Sequence, residues 1–417
     1  MSVLVCAPLA SLGGAVTHLR RLLPRFAAEP DVDWSFLGPP SLTSALAAAL
    51  DGFELFHADC TRYRDRMNTE IEIAPRVARE VGADVVYGPL GLYSPPLMER
   101  LVWIPHNVAP YSERFLRTQP PAQVARLTAL RWMHVFGARH ARLTTCISKH
   151  GRDSLSRVSG VAAERFPVIH HGAEVPAPPP PAERARLRQQ LGLESPFVLS
   201  VAHGYRYKNL VELVRAFSIV RDRPHILGDR RAHGATELRL ALAGAWPDEA
   251  YAAEVHDEVA RLGLERAVRF LGSRDAHELA ALEVEAELVA AASWLENCPT
   301  SLLEQLHLGC AIVCSSEPSM PEHVGDAALL VDVDEPESIA DGMGRVLADP
   351  ELRAALQARA RLRAKRFRWE ETARRTLGAI RWAARATSTF PVDLDADPGE
   401  LADSSAENTP ESHGRPS

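Results

Sequence analysis

Residues 293–309 read SWLENCPTSLLEQLHLG. The apolar run just before them, 287–292 (ELVAAA), has the length and content of a buried strand. A short helix is predicted from about Ser301, with Gly309 as its stop. A helix that starts directly after a parallel strand presents unpaired N–H groups and a partial positive charge. That makes a site for an anion such as a pyrophosphate. Glu296 stands before this helix start and Glu304 one turn inside it, so both carboxylates would flank the anion and could accept hydrogen bonds from hydroxyls beside it. Ser301 and Glu304 also spell S-x-x-E, a capping box, which would give Glu304 a purely structural role. The cap does not account for Glu296.

The same strand-then-helix rhythm runs along the whole chain. In the first half the predicted strands are 2–8, 33–37, 83–88, 101–105, 142–147 and 166–170; in the second half they are 197–202, 238–244, 268–271, 287–292, 311–315 and 328–331. Apolar strands separated by amphipathic segments imply parallel sheets covered on both faces. The length, 417 residues, suits two domains. Between the halves, EVPAPPPPAERARLRQQLGLESP carries Pro176 and Pro178 to Pro181 and reads as a stiff connector. The expected division is a first domain over 1–172, a linker over 173–195, a second domain over 196–385 and a disordered acidic tail over 386–417. Ligands of such folds sit beyond the carboxyl ends of the strands, so both domains should turn loops toward a shared cleft. The segment 367–385 is amphipathic, with Phe367, Ala373, Leu377 and Ile380 on one side.

Composition excludes several classes. Apolar content of 46% and charged content of 24% are those of a globular protein. Seven acids against one arginine put −6 of the net −7 in the tail, and the body is near neutral. A nucleic-acid binder would show a basic excess. The six cysteines form no CxxC pair, and reduced thiols in a cytoplasmic setting are expected. The apolar start lacks an early Lys or Arg and is broken by Pro8, so it reads as a first buried strand. No apolar run is long enough for a membrane span. The basic stretch 124–143, with Leu127, Trp132 and Phe136, could rest on an anionic surface but reads better as a packed helix. P-loop and G-x-G-x-x-G patterns are absent. The D-x-D runs at 332–334 and 393–395 read as solvated acids, and no zinc spacing is evident.

With these residues on the page, the chain resembles family 4 of the retaining GT-B glycosyltransferases. The resemblance rests on E-x7-E followed by GCAIVCSSEPSMPEHVGDAALLVD, that is Glu296, Glu304, Gly309, Ile312, Val313, Pro321, Glu322, Gly325, Asp326, Ala327 and Ala328. It is specific in the second half and weaker in the first. It implies an α/β fold of two facing Rossmann-like domains with a C-terminal crossing helix. It also implies transfer of a sugar from a nucleoside diphosphate (UDP or GDP) to an unidentified acceptor, with no cofactor and no catalytic metal. By resemblance, Arg206 and Lys208 in SVAHGYRYKNLVELVRAF would hold the donor phosphates, together with the helix start at Pro299, Thr300, Ser301 and Leu302. Glu296 would orient the donor sugar and Glu304 the ribose. Leu271 to Arg274 would lie beside the base. Gly13 and Gly14 resemble the family's glycine loop, and His106 its cleft histidine. Two departures stand out. His171 replaces a usual Asn, and Asn297-Cys298-Pro299 replaces the glycine-containing turn inside the motif. A sugar-nucleotide epimerase, a phosphorylase, or a silent sugar-binding scaffold with the same fold are the alternatives.

Overall fold

The structure is a computed structural model and describes residues 1–8, 14–223 and 238–385. It holds two six-stranded parallel sheets. The first comprises β1 (Ser2–Cys6), β2 (Asp33–Gly38), β3 (Glu54–His57), β4 (Val85–Gly88), β5 (Leu101–Trp103) and β6 (Leu143–Thr144), in the order β3-β2-β1-β4-β5-β6. The second comprises β7 (Phe197–Val201), β8 (Arg239–Ala243), β9 (Val268–Gly272), β10 (Leu288–Ala291), β11 (Ile312–Ser315) and β12 (Ala328–Val331), in the order β12-β11-β10-β7-β8-β9. Read from the first strand of each, both are the doubly wound order 3-2-1-4-5-6. The order reverses between β1 and β4 in one sheet and between β7 and β10 in the other, and ligand crevices open at such points.

Both faces of each sheet are covered, as the unbroken apolar strands require. On β1, Val3 and Val5 face one core cluster while Leu4 and Cys6 face another. On β7, Val198 joins one cluster and Phe197 and Leu199 the other. The helix Trp369–Arg385 crosses from the second half to the first, where Ala373, Leu377 and Ile380 pack among Leu19, Leu22 and Tyr87. Gly172 permits the crossing: a Cβ there would lie 2.3 Å from the Trp369 backbone nitrogen.

Three expectations change. The run 166–170 forms no strand, only a single bridge between Cys146 and Val168. The sheet edge is instead β3, which has little apolar content to announce it. The connector is only partly irregular, because Pro181–Gln190 is helical. Pro181 sits at the first helical position, where proline's missing N–H costs nothing. Arg184 and Arg188 clamp this helix to Glu285 at 2.7 and 3.0 Å. The tail 386–417 lies outside the described residues.

Candidate active site

Two adjoining cavities of about 430 and 420 Å³ lie between the sheets, at the carboxyl ends of the strands. Tyr207, Glu296, Cys298 and Thr300 line both. The second cavity is walled by the loop after β7 (Ala202, His203, Lys208), by Gly244 after β8, by Ser273 and Arg274 after β9, and by Pro299, Thr300 and Ser301. It therefore sits at the β7/β10 reversal.

The helix after β10 runs Thr300–Leu308, with Pro299 as its N-cap and no side-chain cap hydrogen bond. Ser301 is inside the first turn, so the predicted capping box does not form, and Glu304 is released from that role. Gly309 closes the helix in the left-handed conformation, as expected. The Leu302 amide donates to the Pro299 carbonyl at 2.9 Å, and Thr300 and Ser301, in the first turn ahead of it, line the cavity. The Leu302 side chain is core, 1% exposed, and Leu271 is a buried strand residue; neither lines the cavity. Leu271 acts through its carbonyl, which accepts from Arg274 Nε at 2.9 Å and holds that guanidinium at the wall.

Lys208 Nζ forms an ion pair with Glu296 Oε1 across the mouth shared by the two cavities. Burial opposes the ammonium charge, but the Glu296 carboxylate outweighs it and holds Lys208 above its ordinary range. An ammonium has three donors, so one can serve Glu296 while others face the cavity. The next residue, Asn209, takes positive φ (58°), which asparagine tolerates well, and its amide donates to the Val333 carbonyl at 2.6 Å. That pins the loop carrying Lys208. Arg206 points elsewhere: it pairs with Glu254 at 2.7 Å and lies over the Tyr251 ring. Glu304 lies outside the lining of both cavities. Burial pushes its carboxyl up to about 7, with Arg21 of the first half pulling the other way. Gly13 lies outside the described residues, and Gly14 opens the helix Gly14–Ala27.

The first cavity is lined by His106, Asn107, Phe115, Gln123 and His171, facing Glu296 and Asn297. Asn297, read above only as a departure, ties the halves together. Its Nδ2 donates to the His106 carbonyl at 2.6 Å, its Oδ1 accepts from Ser148 Oγ at 2.5 Å, and its own carbonyl accepts from Ser319 Oγ at 2.8 Å. Glu322 makes a second tie. Its carboxylate accepts from the Lys149 and His150 amides at 2.7 and 3.3 Å, at the positive end of the helix Lys149–Ser159. Burial would raise the Glu322 carboxyl, but the nearby His170 and His323 rings and the Lys149 amide hold it below its usual value. Asn297→Ala strands the buried Ser148 hydroxyl and the His106 carbonyl. The expected loss is about 3 kcal/mol, read from the urea midpoint at unchanged slope. An unaltered midpoint would show that these contacts contribute nothing net.

The helix Pro121–His140 packs Leu127, His134, Val135 and Ala138 into the first half and leaves Trp132 exposed. Among the described residues no helix is long and apolar enough to cross a membrane. Cys6, Cys60, Cys298, Cys310 and Cys314 are free thiols.

Comparison with known proteins agrees with this geometry. Residues 183–363 match the family model described as Glycosyl transferases group 1. A D-inositol 3-phosphate glycosyltransferase of Corynebacterium jeikeium is 30% identical over 216 residues, 49% of each chain. An O-antigen chain mannosyltransferase B of Escherichia coli is 32% identical over 114 residues, 27% of this chain and 30% of that one. The matches thus span half or less of these relatives' lengths. Over the full fold, Anabaena HepE in complex with UDP superposes with a TM-score of 0.70 at 18% identity, covering 91% of this chain and 100% of that chain. A Rickettsia africae glycosyltransferase reaches 0.72 at 12% identity, covering 93% and 99%. The chain therefore has the GT-B fold, and its residues 183–363 are similar to the group 1 glycosyl transferases.

Proposed function

We propose that this protein moves a sugar from a nucleoside diphosphate, UDP or GDP, to an acceptor hydroxyl with retention of configuration. The reading rests on one observation: Lys208, Glu296 and the helix start at Thr300 and Ser301 line a single cavity. The bond from the anomeric carbon to the leaving phosphate oxygen breaks, and the acceptor oxygen bonds to that carbon from the same face. The acceptor proton passes to a leaving-phosphate oxygen. The departing diphosphate gains negative charge, which the Lys208 ammonium and the helix start stabilise without a divalent ion. Glu296 is placed between the cavities, where the sugar would lie, and His106 stands across from it on the acceptor side.

A thermal-shift screen with UDP-, GDP-, ADP- and dTDP-sugars, run in chelator, tests this reading. A bound donor at a hundred times its Kd adds about 2.7 kcal/mol to stability. Stabilisation by one base class without magnesium is the expected result. Stabilisation that appears only with magnesium, or with none of the four, overturns it.

A further inference from the structure

Three histidines from separate parts of the first half converge behind the acceptor-side cavity. His18 comes from the helix after β1, His106 from the loop after β5, and His171 from the loop beyond the Val168 bridge. One ring nitrogen from each lies within 4.8 Å of the other two. The ring centroids are 4.6 to 5.3 Å apart. His18 and His171 are 1% and 6% exposed. His18 Nδ1, His106 Nε2 and His171 Nε2 are all buried without a hydrogen-bond partner. Buried polar atoms are nearly always paired, so three orphans at one point call for an occupant.

The other His18 nitrogen is already held: Nε2 meets the Tyr87 hydroxyl at 3.1 Å. This is the outer-shell arrangement that orients metal-bound imidazoles, in which the second ring nitrogen is held by a carbonyl or polar side chain.

We infer that His18, His106 and His171 form a binding site for one transition-metal ion of the zinc class. Imidazole is a preferred ligand for such ions. Three imidazoles leave a fourth position open for water or an acceptor oxygen. His106 and His171 both line the first cavity, which gives such a ligand a route to the site. Nitrogens at about 2.0–2.1 Å from zinc lie about 3.3 Å apart, so binding draws the rings inward. The site is apart from the diphosphate position at Lys208 and Ser301 and does not depend on the reading proposed above.

The test uses the full chain, freed of metal by chelator, with Zn²⁺ or Co²⁺ alone and no sugar nucleotide. One ion per chain by calorimetry, a low-coordinate Co²⁺ absorption spectrum and a raised melting temperature are expected. His18→Gln and His171→Asn should each weaken binding more than about tenfold while melting normally in the metal-free state. Should either fail to fold, Tyr87→Phe, which keeps the ring and removes only the hydroxyl on His18, should weaken binding about tenfold. Absence of stoichiometric binding, or binding unchanged in these variants, overturns the site.

Discussion

Lys208→Ala lowers kcat by about 10²–10³, the loss typical of removing one pre-positioned donor from a developing negative charge. The ammonium pairs with Glu296 in the lining of the second cavity, while Arg206 is engaged with Glu254 and Tyr251. The substitution has a second consequence that sequence alone does not suggest. Lys208 and Glu296 are 17% and 12% exposed, so alanine leaves an uncompensated, largely buried carboxylate. Breaking such a pair from one side costs about 3 kcal/mol of stability. The two effects separate in the double variant Lys208→Ala with Glu296→Gln. It should regain most of the melting temperature, since the stranded charge is gone, yet recover none of the rate. Single-turnover rates with saturating donor provide the comparison. A folded Lys208→Ala protein with wild-type kcat would take Lys208 out of the chemistry.

The parts of the molecule that the chain announces are those whose cause is local. Parallel buried strands read as apolar runs, and β7, β8, β10 and β11 stand where the pattern puts them because Val198, Leu240, Val289 and Ile312 are wholly interior. The crossing helix was legible because its apolar face repeats at helical spacing. The edge strand β3 was not, because of its four residues only Phe56 is partly buried against the core, and backbone pairing with β2 leaves no side-chain signature. The cap at Ser301 misled because S-x-x-E marks a helix start only when its first residue is the boundary, and Pro299 set that boundary two residues earlier. Asn297 and Glu322 carry a different lesson. Their partners are 149 to 191 positions away, so a motif can preserve them while hiding what they hold. The histidine cluster is the extreme case: His106 and His171 stand out singly in their segments and His18 not at all, and nothing in the chain brings the three together.

Glu304 is where pH should reveal function. Freed from capping, its carboxyl is held by burial at about 7, against an ordinary 4.5. Ribose hydroxyls would donate to the ionised form and favour it. Donor binding then releases a proton, and affinity rises with pH until the empty site is already ionised. The donor KM should fall by about two- to sixfold between about pH 5.5 and 6.5 and level off above about 8. Stability moves in the opposite sense. A carboxyl whose native pKa exceeds its unfolded value contributes stability below 4.5 and loses it as pH rises through about 7. The melting temperature of the empty protein should thus carry a falling component over that window, and donor-induced stabilisation should grow across it. Glu304→Gln removes the titration. Its donor KM should be raised by about 10- to 100-fold at pH 8, the equivalent of a hydrogen bond to a charged group, and should no longer follow pH. Steady-state kinetics from pH 5.5 to 8.5 on both proteins decide the matter. A variant that keeps the wild-type KM and its pH dependence would make Glu304 a buried acid with no part in donor binding, leaving Lys208, Glu296 and the helix end to hold the donor alone.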